Sequence, residues 1–224
     1  MTAPLAYFVT GTDTEIGKTF VSCALLHAAR RRGLRVVGMK PVAAGASLVD
    51  GHWINEDVAS LQRASSENAP LALVNPYGLK SPVSPHIAAQ EDGVEIALTV
   101  IEDAYQQLAA QADLVIVEGV GGFRVPLGPQ VDTAEMARRL GLPVILVVGM
   151  RLGCINHALL TAEAVASRGL TLTGWVANRV DPEMLCFEEN LATLTDHLPA
   201  PLLGVLPRFA SGSPEDGADC LRLP

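Results

Sequence analysis

The chain has 224 residues, of which 49% are apolar, and its 24 aspartates and glutamates exceed its 16 lysines and arginines, giving a formal net charge of -8. This composition predicts one folded domain, residues 1–224, and excludes a largely disordered chain. Binding to nucleic acid without regard to sequence is not expected, because it depends on clustered lysine and arginine. Any anionic ligand must therefore be held by a local site.

Short apolar runs alternate with helical patterns along the chain. The predicted strands are Leu5–Thr10, Arg35–Met39, Asp113–Glu118, Pro143–Val148, Leu172–Asn178 and Leu202–Leu206. The predicted helices are Gly17–Arg32, Val94–Leu108, Val131–Leu140, Ile155–Arg168 and Glu183–His197, and the tail from Ala210 is predicted to be a flexible or ligand-capping loop. Continuously apolar strands are typical of strands covered on both faces, so the pattern predicts an α/β fold with a doubly wound, mostly parallel sheet and helices on both faces. Ligands of such folds bind beyond the carboxyl ends of the strands.

Membrane and metal signals are weak in this sequence. No apolar run reaches the roughly 18 residues that cross a bilayer, and Met1–Tyr7 lacks the basic segment of a signal peptide. The four cysteines form no C-x-x-C pair and are predicted to be free thiols, at Cys23, Cys154, Cys186 and Cys220. These features favour a cytoplasmic protein in a reducing compartment, without a membrane partner.

A glycine-rich stretch follows the first predicted strand and opens the first predicted helix. It reads Gly11-Thr-Asp-Thr-Glu-Ile-Gly17-Lys18-Thr19, or G-x5-G-K-T, one residue longer than the usual phosphate loop. Glycines let main-chain N–H groups turn toward phosphate oxygens, the lysine reaches the outer phosphates, and the threonine hydroxyl suits Mg²⁺. The alternative is a glycine-rich turn with a surface lysine, which the strand–loop–helix context disfavours. No G-x-G-x-x-G motif is present, so a dinucleotide site is not expected.

Three charged residues outside this loop are candidates for the same site. Glu118 ends an apolar strand and precedes a glycine-rich turn, which suits a Mg²⁺ ligand, although a solvated loop glutamate is the alternative. Asp57 is a candidate second carboxylate, but helix capping by Asn55 explains that stretch about as well. Lys40 follows the second predicted strand, where it would either stabilise charge on a transferring phosphoryl group or be a surface lysine.

Taken together, these stretches resemble the dethiobiotin synthetase family. The matching segments run in family order and are Phe8–Thr19, Lys40–Ala43, Asn75–Tyr77, Ser84–His86, Val117–Gly122, Pro143–Val148, Leu152–His157, Gly174–Asn178 and Pro201–Gly204. The resemblance implies a P-loop NTPase-like fold and a homodimeric ligase of biotin biosynthesis that depends on ATP and Mg²⁺. Its substrates would be 7,8-diaminononanoate and CO₂. One amine would capture CO₂ as a carbamate, ATP would phosphorylate the carbamate, and the second amine would displace phosphate to close the ureido ring.

The resemblance also implies a role for each matching position. Catalytic roles fall to Thr14, Lys18 and Lys40, and Mg²⁺ ligation to Thr19, Asp57 and Glu118. The residues implied to contact the nucleotide are Thr14, Glu15, Ile16, Gly17, Lys18, Thr19, Phe20, Asp57, Glu118, Gly119, Val120, Gly121, Asn178, Arg179, Pro207, Arg208, Phe209 and Glu215. The residues implied to contact the substrate are Lys40 and Ala44 of one subunit together with Gly153, Cys154, Ile155 and Asn156 offered by a second subunit.

The chain departs from the family pattern in two places. Ala44 stands where the family usually has a hydroxyl residue, which would remove one hydrogen bond to the diamine or carbamate. The C-terminal segment Ser211–Glu215 matches only weakly. In addition, Asn178-Arg-Val-Asp181 has the form N-[K/R]-x-D, which is related to a guanine-reading motif, although ATP is the predicted nucleotide.

Other functions share the phosphate loop. A partner-switching ATPase of the partitioning or septum-positioning kind usually carries an extra lysine early in the loop, and none lies between Gly11 and Gly17. An amide-forming ligase of cofactor synthesis usually adds an amidotransferase domain, for which 224 residues leave no room. A small-metabolite kinase would transfer phosphate to a stable product, so release of free phosphate would distinguish it from a ligase.

Overall fold

The computed structural model describes residues 4–50, 52–209 and 212–224, which form ten strands and nine α-helices. The strands are β1 Leu5–Gly11, β2 Val36–Met39, β3 Val42–Ala44, β4 Ser47–Val49, β5 His52–Ile54, β6 Tyr77–Leu79, β7 Leu114–Glu118, β8 Val144–Gly149, β9 Leu172–Asn178 and β10 Leu202–Leu206. The helices are α1 Lys18–Arg30, α2 Glu56–Ala64, α3 Leu71–Val74, α4 Pro85–Asp92, α5 Leu98–Ala109, α6 Thr133–Leu140, α7 Cys154–Ser167, α8 Phe187–His197 and α9 Pro214–Gly217, followed by a 3₁₀ turn at Ala218–Cys220.

Six of the strands form one parallel sheet in the order β10-β9-β8-β1-β7-β2. The first strand lies in the interior of the sheet, and its Phe8 pairs with Val117 of β7 on one side and Val144 of β8 on the other. Because all six strands point the same way, the loops that follow β1, β2, β7, β8 and β9 meet at one edge. The predicted α/β fold with a parallel sheet is confirmed.

The sheet is buried on both faces, as its apolar strands require. Successive residues of β1 belong to different cores: Phe8 packs with helices α5 to α8, whereas Tyr7 and Val9 pack with α1, α2 and the C-terminal segment. The same alternation places Trp175 of β9 in the first core and Val176 in the second. Burial on both faces removes the polar alternation that a half-exposed strand would show.

Two predicted helices begin later than the apolar pattern suggests. The helix predicted from Val94 begins at Leu98, and Val94 lies outside it. The helix predicted from Glu183 begins at Phe187, because the carboxylate of Asp181 accepts the Glu183 N–H in a turn and Cys186 adopts a left-handed conformation with φ 53°. Turn chemistry, rather than hydrophobic spacing, sets the start of α8.

The tail predicted as a loop contains a short helix. Ser213 and Asp216 form a capping box at the start of α9, and Gly217 packs against the Phe20 ring of α1. The loop prediction is therefore wrong for much of 212–224, while Ala210 and Ser211 lie outside the described residues.

The region between β2 and β7 was not resolved by the sequence pattern. Before α5 it contains the small β3–β6 sheet, the β4–β5 hairpin and helices α2 to α4, and Ala44, Asp57 and Pro85 of these elements line the cavity described below. Within the described residues, no helix is long and apolar enough to cross a membrane.

Candidate active site

The loop between β1 and α1 has the backbone shape of an anion cradle. Two of its residues are left-handed, Glu15 with φ 58° and Gly17 with φ 81°, and α1 starts directly at Lys18. No side chain caps this helix start, so its first N–H groups face the loop. Free N–H groups at a helix N-terminus suit a bound phosphate.

The side chain of Ile16 anchors this loop in the core. It is only 1% exposed, and it lies so close to Gly11 and Gly149 that a Cβ atom on either glycine would be 2.8 Å or 2.5 Å from it. Larger residues at these two positions would push Ile16 out of place, so the glycines at the ends of β1 and β8 allow the loop to sit where it does.

Lys18 is buried beside the loop. Its side chain is 7% exposed, and its Nζ donates to the main-chain carbonyl of Asp13 at 2.8 Å. Burial is the main reason that the pKa of Lys18 is lowered to about 8; the charge of Glu118 opposes the shift, and the charge of Lys40 adds to it. Because this pKa of about 8 is still above 7, Lys18 is mostly protonated at neutral pH, and the loop carries a positive charge with little solvent around it.

A buried cluster lies at the end of β7. Lys40 Nζ lies 2.6 Å from Glu118 Oε1 and 2.5 Å from Asp57 Oδ2, and the hydroxyl of Thr19 donates to the same Glu118 oxygen at 2.7 Å. Glu118 is 0% exposed, and in the described part of the chain its second oxygen, Oε2, has no hydrogen-bond partner. A buried carboxylate oxygen without a partner is costly unless a ligand satisfies it.

Opposing charges control the titration of this cluster. Burial is the largest single influence on the Lys40 pKa and lowers it, but the charges of Glu118 and Asp57 together raise that pKa above its ordinary value. For Asp57, burial likewise acts to raise the pKa, and the charge and hydrogen bond of Lys40 outweigh it and lower the pKa. Both groups are held in their charged forms at neutral pH.

Local contacts fix where Lys40 and Asp57 sit. The Lys40 N–H donates to Val74 at 2.8 Å, and its carbonyl accepts from the Asn75 side chain at 2.7 Å. The Asn55 side chain caps α2 by accepting from Asp57 N, and it donates to the carbonyl of Gly45 at 3.1 Å. Asn55 thus caps the helix, and Asp57 in its first turn is directed to Lys40; the two interpretations of this stretch are compatible.

A cavity of about 730 Å³ opens above these groups. One wall is polar and contains the loop residues Thr14 and Glu15 with the lysines Lys18 and Lys40. The apolar part of the lining is formed by Ala44, Pro82, Val83, Val120 and Val125. This volume is within the range of small-molecule sites, and one charged and one apolar wall suit an amphiphilic substrate beside a polyphosphate.

The two carboxylates and the hydroxyl could hold a divalent cation only with help from a bound phosphate. Among the described residues, no group of three or more histidines, cysteines, aspartates or glutamates is arranged as a metal site. Mg²⁺ commonly takes one or two carboxylates and completes its shell with water and phosphate oxygens. Thr19, Asp57 and Glu118 match that donor set. The Oε2 atom of Glu118, which has no hydrogen-bond partner among the described residues, is available to bind the ion.

Some of the residues predicted to contact the nucleotide base lie beside the phosphate loop, and others do not. The rings of Phe20 and Phe209 stack with centroids 5.5 Å apart, and Asn178 Nδ2 donates to the carbonyl of Ile16 at 2.7 Å, so these residues lie beside the loop. The Arg208 guanidinium donates to the Val180 carbonyl. Pro207 follows β10 at the same edge of the sheet.

Arg179 points away from the stacked rings, and Glu215 contacts α1 through its main chain. The guanidinium of Arg179 lies 4.8 Å from the Phe187 ring centre, in the core on the other side of the sheet from Phe20 and Phe209. The carbonyl of Glu215 accepts from Arg31, just beyond the C-terminal end of α1. The structure therefore does not bring the side chain of Arg179 toward the two stacked rings.

The segment at the start of α7 does not join the cavity within one chain. Gly153, with φ 93°, precedes the helix, Cys154 is buried, Ile155 is partly buried and Asn156 is exposed, but none of them lines the cavity. Leu152 is 96% exposed. All four described cysteines are free thiols, and burial raises the pKa of Cys23 to about 12, which makes it a poor nucleophile.

Sequence reasoning missed several residues of the site. Asp13 accepts the Thr14 N–H at 2.8 Å and forms an ion pair with Arg151, so it ties the loop to the end of β8. Pro82, Val83 and Val125 supply much of the apolar wall. The only sign of these three residues in the sequence was that they lie near the matching segments Ser84–His86 and Val117–Gly122. An apolar cavity wall has no charge pattern that distinguishes it from a surface loop.

Comparison with known proteins agrees with this geometry. A family described as an AAA domain matches residues 6–216. Among curated proteins, the chain is 65% identical over 224 residues to the ATP-dependent dethiobiotin synthetase BioD of Aromatoleum aromaticum, covering 100% of both chains.

Solved structures support the fold at much lower identity. MinD complexed with Mg-ADP from Pyrococcus horikoshii is 19% identical with a TM-score of 0.57, covering 92% of this chain and 82% of that one. Chloroplast FtsY of Physcomitrella patens is 16% identical with a TM-score of 0.57, covering 96% of this chain and 61% of that one. Such likenesses establish a P-loop NTPase fold and nothing about the reaction. The full-length relationship at high identity is what carries the assignment, and by it the chain belongs to the ATP-dependent dethiobiotin synthetase family.

Proposed function

We propose that this chain converts 7,8-diaminononanoate, CO₂ and ATP into dethiobiotin, ADP and phosphate. The observation that carries the proposal is the position of two buried lysines, Lys18 and Lys40, at one cavity whose floor is a phosphate loop. Membership of the synthetase family over the whole chain supports the same reaction.

The chemistry requires a leaving group that a carbamate does not have. One substrate amine adds to CO₂ and loses a proton, giving the carbamate. A carbamate oxygen then attacks the γ-phosphorus, the bond to the bridging β–γ oxygen breaks, and ADP departs. The second amine attacks the carbonyl of the resulting mixed anhydride, phosphate leaves, and a proton is released as the ring closes. Such phosphoryl transfer depends mainly on positioning and charge neutralisation.

Each lysine would neutralise a different part of the reacting group. Lys18 follows the loop and would reach the outer phosphates, while Lys40 approaches from the end of β2 and would face the carbamate and the transferring phosphoryl group. The exposed loop residues Thr14 and Glu15 would line the path between them.

We also propose that Thr19, Asp57 and Glu118 hold Mg²⁺ when the nucleotide is bound. Once bound, the ion would neutralise phosphate charge. In the structure the Lys40 ammonium lies between the two carboxylates, so Lys40 would exchange part of this contact for the substrate. A side chain that can neutralise either the carboxylates or the carbamate keeps the buried charges compensated in both states.

The apolar wall and the α7 segment suggest how the rest of the substrate is held. Its methylene chain would lie along the apolar lining residues Ala44, Val83 and Val125. Its distant carboxylate would reach the start of α7 in a second subunit, where free N–H groups suit an anion. Homodimerisation is therefore part of the proposal, because the α7 segment does not reach the cavity of its own chain.

A product assay tests the reaction. The purified protein is incubated with 7,8-diaminononanoate, bicarbonate, Mg²⁺ and ATP, and dethiobiotin is sought by mass spectrometry while free phosphate is measured. Equal amounts of dethiobiotin and phosphate are expected. A folded protein that yields no dethiobiotin, or that phosphorylates the diamine without releasing phosphate, would refute the assignment.

A complementation assay tests the shared site. Lys18→Ala removes the loop lysine from one half of the proposed site, and Asn156→Ala removes a side chain from the other half, so each variant alone should be much less active than the wild type. A dimer that contains one chain of each type has one intact site, so mixing the two variants should restore part of the activity. No recovery, with subunit exchange verified by a size or affinity tag, would show that each chain forms its site alone.

A further inference from the structure

We propose that the carboxamide of Asn178 positions the phosphate loop by holding the main-chain carbonyl of Ile16, and so sets the affinity for a polyphosphate whether or not a base is attached. The inference rests on the proposed ATP site. It gives Asn178 a task separate from any contact with the nucleotide base.

The backbone of Asn178 is fixed by its place in the sheet. It is the last residue of β9, where it pairs with Gly149 of β8 and Leu206 of β10. Its carbonyl accepts from Met150 N at 2.8 Å and from Val180 N at 2.9 Å. The side chain therefore starts from a rigid point, which lies two strands from β1 across the sheet.

The contact with the loop has only one chemically sensible assignment. Asn178 Nδ2 lies 2.7 Å from the Ile16 carbonyl oxygen. A carbonyl only accepts hydrogen bonds, so the amide nitrogen, not the amide oxygen, must face it. The phosphate loop and the end of β9 also approach closely here, since a Cβ atom on Gly17 would be 2.3 Å from the same Asn178 nitrogen.

This hydrogen bond holds the part of the loop whose backbone conformation is least favourable. Ile16 stands between the two left-handed residues Glu15 and Gly17, and a left-handed conformation is unfavourable for a residue such as glutamate. The Ile16 side chain is buried against Gly11 and Gly149. With Asn178 on its carbonyl, both the side chain and the main chain of Ile16 are held, and the neighbouring amides are kept in the shape that receives phosphate.

Holding the loop before the ligand arrives increases affinity. A loop that is already ordered does not lose conformational entropy when it binds. One hydrogen bond in a partly buried site changes such an equilibrium by about fivefold, and this factor should apply to any polyphosphate. A residue that only reads the base would change the affinity for ATP and leave inorganic tripolyphosphate unaffected.

The test compares ligands with and without a base. Asn178→Leu keeps the approximate shape of the side chain and removes the donor without adding charge. Asn190→Leu is the matched control, because Asn190 Nδ2 also donates to a main-chain carbonyl, that of Cys186 at 2.8 Å, on helix α8 outside the cavity. Dissociation constants for ATP and for inorganic tripolyphosphate, both with Mg²⁺, are measured by calorimetry, and kcat and KM for ATP are measured with the substrates.

We expect Asn178→Leu to weaken both ATP and tripolyphosphate by about fivefold or more, and Asn190→Leu to bind both as the wild type does. Loss of ATP affinity with tripolyphosphate affinity unchanged would overturn the proposal and leave Asn178 as a base contact. If the wild-type protein bound neither ligand, the proposed function would fail as well, so the two failures are distinguishable.

Hydrogen–deuterium exchange of the free protein provides a second readout. If Asn178→Leu does not fold, Asn178→Ser replaces it, because the serine hydroxyl is too short to span the distance to Ile16. The loop amides at 13–17 should exchange faster in the variant, whereas the amides of α7 and α8 should not change. Equal exchange of the loop in variant and wild type would contradict a positioning role.

Discussion

The Nζ atom of Lys40 lies 2.6 Å from Oε1 of Glu118, a residue 78 positions away in the chain. Both side chains are almost fully buried, at 5% and 0% exposure. The parallel sheet brings them together, since β2 and β7 are neighbours and both end at the same edge. The lysine offsets the carboxylate charge in the folded protein and lies where the proposed reaction needs a cation.

Removing one partner of this pair should destabilise the protein. Lys40→Met leaves the Glu118 charge buried, and we expect a loss of about 3 kcal/mol in the free energy of unfolding. The double variant Lys40→Met/Glu118→Gln should recover most of that loss, because no unpaired charge remains at the fully buried position 118, while the Asp57 carboxylate is 45% exposed and stays partly solvated. Urea unfolding of the wild type, both single variants and the double variant measures this coupling. Additive effects of the two changes would contradict a direct ion pair.

Lys18 should be required for turnover and not for folding. We expect Lys18→Ala to lower kcat/KM by roughly a factor of 100 or more, as happens when a group that stabilises developing charge is removed. Lys80→Ala is the control, because Lys80 is an exposed lysine paired with Asp92 and does not line the cavity. Steady-state kinetics on folded variants measure the effect. Comparable activity of the two variants would show that the loop is not where phosphate binds.

Asp57 should control the requirement for Mg²⁺. Loss of an outer-shell partner commonly weakens a metal site by about 10- to 100-fold, so removal of a ligand in Asp57→Asn should raise the Mg²⁺ concentration for half-maximal rate by at least about tenfold. Glu56→Gln removes the same charge from the adjacent, exposed position of α2. A similar shift in both variants would indicate a general charge effect instead of ligation.

The Arg35–Asp113 pair should give stability a defined pH dependence. Asp113 accepts hydrogen bonds from the side chain and the N–H of Arg35, and these lower the pKa of Asp113 below its ordinary 3.8. Because the folded-state pKa is depressed, the contribution to stability is complete above pH 3.8 and is lost as the pH falls through the lower folded-state value.

Asp113→Asn should therefore unfold more easily than the wild type at pH 7, and the difference between the two proteins should disappear in stronger acid. Thermal unfolding followed between pH 7 and pH 2 measures this. A difference that stayed constant over the whole range would mean that the carboxylate charge does not contribute.

The sequence allowed the main sheet to be predicted because its strands are buried on both faces and leave continuous apolar runs, such as Val144–Gly149. It did not allow the region after β2 to be predicted. There, Lys40 is held by Val74 and Asn75 through main-chain and amide hydrogen bonds, and such contacts leave no periodic pattern. Short elements fixed by distant polar partners are visible only in the structure.

The site shows the same division. The loop could be located because glycine and lysine are required at fixed spacing for a phosphate. That Lys40 also contacts Asp57 and Glu118 could not be read from the sequence, since these residues are far apart along the chain and any of them could equally have faced solvent. Nor could the direction of Arg179, whose guanidinium lies against Phe187 of α8, because a residue at a strand end can turn toward either face.

Isotope transfer from CO₂ to phosphate tests the central claim most directly, because the carbamate oxygen that attacks phosphorus must leave with the phosphate. The reaction is run briefly with freshly dissolved CO₂ labelled with oxygen-18 in both positions, and the released phosphate is analysed by mass spectrometry. The account predicts that each phosphate carries one labelled oxygen from CO₂ and that the ureido carbonyl of dethiobiotin carries the other. Unlabelled phosphate formed together with labelled dethiobiotin would show that the carbamate is not phosphorylated, and would contradict the role given to the two lysines.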